Sequence, residues 1–323
     1  MELFVYKGEY QLPSIDLDCL RVLMYIKLAD IQGIKIRTDC SPFHSNNGFL
    51  PYLIDSSDNK KYCGYERIIN FLKKEGYTLD GSEKNEAYIM YITQNLYPFL
   101  MYQLFGNPQN IDETRALYAL RTPFPFNFYY PSKYVRKCEQ VCQNVANFSL
   151  EDPVTAHDTT KMEVDAKKCL NWISERLGNK EFFINGSQNE VDATIFAYLA
   201  IILKFQLPNN QLQSHANQCK NLSRYVDNLK KKFFNENECF ESEKVKAQNL
   251  KKEQKVFTGQ EDEDPPSEIR KRYIMSGLIA SIAMFGYGYF SGIFNIVIAE
   301  KLRLNEPETS FSDFNDYTDN DDE

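Results

Sequence analysis

The chain is poor in the residues that build reactive centres. Histidine occurs three times in 323 residues, at His44, His157 and His215, and tryptophan once. No Cys/His, Ser/His/Asp or glycine-rich phosphate motif accompanies the three histidines. The eight cysteines are scattered (Cys19, Cys40, Cys63, Cys138, Cys142, Cys169, Cys219 and Cys239), with no CxxC pair and no zinc-ligand spacing. Cys138 and Cys142 fall one helical turn apart, on one face, with no histidine nearby to complete a site. Thiols distributed in this way read as small core residues of a protein in a reducing compartment. The sequence therefore predicts no catalytic residue, no cofactor site and no metal site.

Excess positive charge is also missing. The net charge is −8, which argues against a nucleic-acid partner. Between Glu300 and Glu323 nine acids face only Lys301 and Arg303, a net of −7, so the acidity belongs to an appendage and the rest is nearly neutral. At the other end, MELFVYKGEY has no apolar signal core and no basic, serine-rich presequence. Any membrane address is expected elsewhere.

Charge is absent from one long stretch. Tyr273 to Ala299 spans 27 residues without a charged side chain, eleven of them Ile, Leu, Phe or Val. As a helix it would reach about 40 Å, beyond the roughly 30 Å of a bilayer's hydrocarbon. Arg270, Lys271 and Arg272 stand before it and Glu300, Lys301 and Arg303 after it. The pattern predicts a single transmembrane helix with an aromatic residue, Tyr273, at its edge, the alternative being a long buried core helix. With 24 residues following, insertion is expected after synthesis, leaving the N-terminal body in the cytosol. Gly288 with Gly292 makes a GxxxG pair and Gly277 with Ser281 a small-xxx-small pair, both suited to packing against another helix.

The first eighty residues read as strand, helix, strand, strand, strand, helix. Leu3 to Tyr6 is a short apolar strand. Residues 16–29 carry a helical apolar stripe capped by Ser14 or Asp16. Gly33 to Arg37 alternates as a strand. Pro51 lies in the apolar run GFLPYLID, where proline normally has no place; a cis Leu50–Pro51 bond, as thioredoxin-like folds require, makes it reasonable. KKYC and a helix from Tyr65 to Glu75 finish the unit. Helical periodicity then covers about 84–105, 110–120, 132–147, 160–177, 190–206 and 212–234. Asn189, with Asp192 three residues on, forms a variant capping box before an apolar run. The expectation is a thioredoxin-like α/β subdomain (1–80), an all-α glutathione-transferase-like subdomain (81–235), a polar and acidic linker (236–268), the anchor (273–299) and an acidic tail (300–323).

Glutathione transferases activate a thiol with a Tyr, Ser or Cys near the first strand and helix, and hold a carboxylate with an acid–serine pair at a later helix N-terminus. Tyr6 and Ser14 stand in the first place, either as activators or, respectively, as a packing residue and a helix cap. The second place falls on Gly64 and Tyr65, and both are wrong for it: one lacks a side chain and the other is too large.

The chain resembles the metaxin family along nearly its whole length. The resemblance rests on LPSIDLDCL (Leu12 to Leu20), on GFLPYL (Gly48 to Leu53) with IINFLKKEGY (Ile68 to Tyr77), and on PFPFNFYYP (Pro123 to Pro131). FFINGSQNEVDATIFAYLAIILKFQLP (Phe182 to Pro208) and the anchor with GYGYFSGI (Gly286 to Ile293) complete it. The anchor is similar to that of the metaxin 1 branch, whereas metaxin 2 lacks a comparable tail. The asparagine at the cap and the acidic tail depart from the pattern. The resemblance implies a non-catalytic subunit in the mitochondrial outer membrane that supports protein import and β-barrel sorting and assembly. Its partners would be another, metaxin 2-like, metaxin and the sorting and assembly machinery. Two other readings stay open: a glutathione-dependent transferase, and a tail-anchored transferase-like protein acting on mitochondrial morphology, as in the ganglioside-induced differentiation-associated family. Pro123, Phe124, Phe126, Phe128 and Tyr129 form either a partner contact or a loop folded over the core.

Overall fold

The computed structural model describes residues 1–239 except 40, 80–82, 147–155, 185 and 236–237. All of them fall in the first of two compact units, Met1–Leu250; the second is Lys251–Glu323. The linker beyond Cys239, the basic flank at 270–272, the anchor and the acidic tail lie outside the described residues. Among the described residues no helix is long and apolar enough to cross a membrane.

The chain opens with β1 (Glu2–Phe4), α1 (Leu17–Leu28), β2 (Lys35–Arg37), β3 (Tyr52–Ile54), β4 (Lys61–Cys63) and α2 (Tyr65–Lys74). The sheet order is β2-β1-β3-β4, with β1 parallel to β2 and antiparallel to β3, and β4 antiparallel to β3. This is the thioredoxin-like arrangement. Leu3 and Leu53 lie opposite each other in register and are wholly buried, while the edge strand β2 carries Lys35 and Arg37, charges that discourage further strand pairing. The Leu50–Pro51 peptide is cis. Pro51 sits immediately before β3, outside the paired residues, so the strand loses no ladder bond to it.

The helical part follows as α3 (Glu83–Met101), α4 (Ile111–Ala119), α5 (Tyr130–Ala146), α6 (Ala156–Leu177), α7 (Glu190–Lys204), α8 (Gln211–Gln218) and α9 (Lys220–Phe233). Helix α7 is apolar all round, and every residue from Val191 to Leu203 is buried; such a helix has to lie inside the protein. It packs on α1, α3, α8 and α9, and so joins the sheet unit to the bundle. The Asn189 side chain caps α7 by accepting from the amides of Val191 and Asp192 at 2.9 and 3.2 Å. Asp192 turns inward: it accepts from the Phe183 amide at 2.7 Å and the Tyr225 hydroxyl at 2.6 Å, tying the preceding loop and α9 to the start of α7.

Two boundaries differ from the periodicity. The expected helix over 212–234 is broken at Cys219, whose non-helical backbone (φ −90°, ψ 80°) ends α8 and starts α9. Both pieces keep an apolar stripe on the same core, so pattern alone could not show the break. The expected proline-rich loop is partly helical: Phe126–Phe128 is a 3₁₀ turn, and α5 begins at Tyr130 with Pro131 in its first turn, where a missing N–H costs nothing.

Candidate functional site

Where a thiol activator is expected, the structure is closed. Tyr6 is 1% exposed and Ser14 0%. The Tyr6 ring meets Tyr118 edge-on, centroids 5.2 Å apart, and lies tilted against Tyr134. Ser14 Oγ accepts from the Asp16 amide at 3.4 Å. Asp16 is the cap of α1, accepting from the Cys19 amide at 3.1 Å. Its second oxygen accepts from Tyr134 at 3.0 Å, and the Tyr118 hydroxyl lies 3.4 Å from it. Burial, with the charge of Asp18, pushes the Asp16 carboxyl up to about 6, against the pull of the Cys19 amide and Lys137. The same burial, with Asp16 beside them, drives the hydroxyls of Tyr118 and Tyr134 well above the usual phenol range. The two phenol hydroxyls keep their protons and direct them at Asp16.

The carboxylate-binding end is likewise altered. Gly64 precedes α2 with φ +86°, a conformation open to glycine, and supplies no side-chain cap. Tyr65 is buried under the Arg21 guanidinium, 3.5 Å from its ring centroid, and donates to Glu190 at 2.8 Å. Glu190 also pairs with Lys73 at 2.7 Å. A cleft of 340 Å³ remains beside them, lined by Asp18, Arg21, Asn47, Gly64 and Glu66 among others. Its two carboxylates, on Asp18 and Glu66, are matched by the guanidiniums of Arg21 and Arg67, so the lining carries no net positive charge to draw an anion. The side chain at 65 has become a strut between α2 and α7.

The aromatic segment is open. Phe124, Phe128 and Tyr129 are 60%, 68% and 52% exposed, and Phe43, from the loop before β3, is 58% exposed. Phe43 stacks on Phe126 at 4.7 Å, joining the sheet unit to the segment. Phe124 and Phe128 meet edge-on. Lys133 Nζ lies 5.3 and 5.4 Å from the Tyr129 and Tyr130 ring centroids. A loop folded over the core would have buried these rings, and for Phe124, Phe128 and Tyr129 that alternative fails. Pro123 is exposed with them.

The segment's first end is fixed by a residue the sequence did not single out. Arg121, just past α4, donates to the carbonyls of Lys7 (3.1 Å), Gly8 (3.4 Å) and Leu117 (2.9 Å) and forms a buried ion pair with Glu9. The loop it grips is tightly folded, since a Cβ at Gly8 would run into the Leu12 carbonyl. Arg121 next to a proline–aromatic run was the available signal, but its partner Glu9 lies over a hundred residues away. Phe43 carried no signal beyond its type.

A thioredoxin-like sheet joined through a capped, wholly buried helix to an α-bundle defines a glutathione-transferase-like protein. Residues 166–229 match the family model described as glutathione S-transferase, C-terminal domain. A solved glutathione S-transferase of Ceriporiopsis subvermispora, in complex with glutathione, aligns with 71% of this chain and 96% of its own, at 14% identity and a TM-score of 0.47. Residues 19–135 match Tom37, the outer mitochondrial membrane transport complex protein family. The metaxin-1 homolog of Drosophila melanogaster is 39% identical over 300 residues, covering 91% of this chain and 90% of its own. Metaxin-1 of Mus musculus is 30% identical over 308 residues, 92% of each. The chain belongs to the metaxin family.

Proposed function

We propose that this metaxin is a non-catalytic subunit of an outer-mitochondrial-membrane transport complex. It supports protein import and the sorting and assembly of β-barrel proteins through contacts with a second metaxin and the sorting machinery. Tyr273 to Ala299 anchors it as a single span, with Arg270, Lys271 and Arg272 at the cytosolic edge and the folded body in the cytosol. Gly277, Ser281, Gly288 and Gly292 allow close helix packing within the bilayer.

The observation that carries this reading is a contrast of exposure. Both hydroxyls that thiol chemistry needs, on Tyr6 and Ser14, are sealed in the core, while four large rings at Phe43, Phe124, Phe128 and Tyr129 face outward. An enzyme of this fold needs the opposite. Exposed aromatic clusters mark contact surfaces. The family description, an outer mitochondrial membrane transport complex protein, supports the same assignment.

Affinity purification of the full-length chain from mitochondria in mild detergent tests it. Another metaxin and the barrel-sorting machinery are expected in near-stoichiometric yield, and depletion of the chain should lower outer-membrane barrels. Normal barrel levels with altered organelle shape would replace this reading by one of morphology control. Titration calorimetry with millimolar glutathione should give no heat; binding with turnover of a thiol conjugate would overturn it.

A further inference from the structure

We infer that the exposed aromatic surface is a docking site for an acidic polypeptide segment bearing large apolar side chains, supplied by a partner protein. This rests on the reading of the chain as a complex subunit and specifies the chemistry of one contact.

The charge distribution selects the partner. The chain carries 45 acids and 37 bases, yet no acid occurs from Thr114 to Cys138, where Arg115, Arg121, Lys133, Arg136 and Lys137 stand, and none from Ser41 to Ile54. These two stretches are the ones that meet where Phe43 stacks on Phe126. Arg121 is neutralised by Glu9. Among the described residues Lys133 has no ion pair; its ammonium rests over Tyr129 and Tyr130. Lys61, from the neighbouring strand, donates to the His44 carbonyl beside Phe43. Lys137 is drawn inward toward Asp16 and Asp18, which leaves Lys133 as the cation among the exposed rings, on an aromatic face whose two contributing stretches carry no acid. Complementarity calls for carboxylates flanking apolar anchors.

The surface is also pre-formed. Arg121 and the Thr122 hydroxyl, which donates to the Tyr118 carbonyl at 3.0 Å, hold one end, and α5 holds the other. The rings between are paired with one another rather than standing free, so little side-chain freedom is lost on binding. Such fixed relief suits a matched polypeptide. Insertion into a bilayer would favour rings projecting independently.

The test places a photo-crosslinking phenylalanine analogue at Phe128 of the full-length chain in intact mitochondria and sequences what is captured. The expected product is a segment with net negative charge and large apolar residues. Its yield should fall about tenfold, the scale of losing an interface anchor, in a Phe124→Ser, Lys133→Glu background. The same analogue at exposed Met90 should not capture it. A neutral or basic segment, a lipid adduct, no product at all, or a yield unmoved by the two substitutions would overturn the inference. Co-purification of the second metaxin and sorting machinery with the unaltered chain separates the outcomes. If it persists, only the docking chemistry fails; if it is absent, the parent reading fails with it.

Discussion

The Tyr134 hydroxyl donates to Asp16 at 3.0 Å, connecting the cap of the first helix to the helical bundle in the space where a transferase would activate a thiol. A carboxylate is held there away from water, with Tyr118 and the Cys19 amide sharing it. These contacts make the place a joint between the first helix and the bundle.

That joint should respond to pH. Asp16 and Asp192 both have carboxyls pushed up to about 6, chiefly by burial, against about 3.9 in an unfolded chain. In the window between, the folded state holds more protons than the unfolded one. Their contribution to stability is therefore largest at low pH and falls as pH climbs through about 6. Asp16→Asn keeps a capping oxygen and removes the charge. In denaturant titrations of the full-length protein in detergent, the variant should gain on the parent between about pH 4 and 6, by up to about 3 kcal/mol, and hold that gain above. A difference that does not change with pH would show that Asp16 is not held as described.

Arg121 and Glu9 form the second joint, both nearly inaccessible. Arg121→Met should destabilise the protein by about 3–5 kcal/mol, because it strands a buried carboxylate. Adding Glu9→Leu should recover most of the loss. A recovery in the double variant distinguishes the stranded charge from simple loss of the bonds to Lys7, Gly8 and Leu117.

The cap of α7 should be worth about 1 kcal/mol. Asn189→Ala removes the acceptor of the Val191 amide and leaves the Asp192 amide only the residue-189 carbonyl, and is expected to lower stability by that amount. Asn189→Ser, which retains an acceptor, should cost less. Thermal unfolding of the three proteins side by side gives the order.

The proposed anchor should be sensitive at its centre. Phe285→Lys places a charge near the bilayer midplane at a cost of about 3 kcal/mol in insertion. After alkaline extraction of mitochondria, the variant should move substantially to the supernatant while the parent stays in the pellet.

Much of this was written in local pattern. The helical stripe at 17–28 and the apolar run after Asn189 could be placed because each depends on residues within one or two turns, and so does the capping of α1 by Asp16 and of α7 by Asn189. The mismatch of Gly64 and Tyr65 with a carboxylate grip was equally legible, since it depends on residue type alone. The charge-free stretch at 273–299 belongs to the same kind of evidence.

Only the tertiary structure decided what those residues do to each other. Tyr6 and Ser14 read from sequence as activators or as packing and cap; both are buried, Tyr6 against Tyr118 and Tyr134, over a hundred residues away, which also reach Asp16, and Ser14 against the Asp16 amide. The segment at 123–129 could have been packing; Phe124, Phe128 and Tyr129 face outward, while Phe126 stacks on Phe43 and Arg121 ties the segment's start to Glu9 and the loop after β1. Burial and long-range pairing belong to the assembled chain, and a residue's own neighbours in sequence carry no record of which distant side chain will remove it from water.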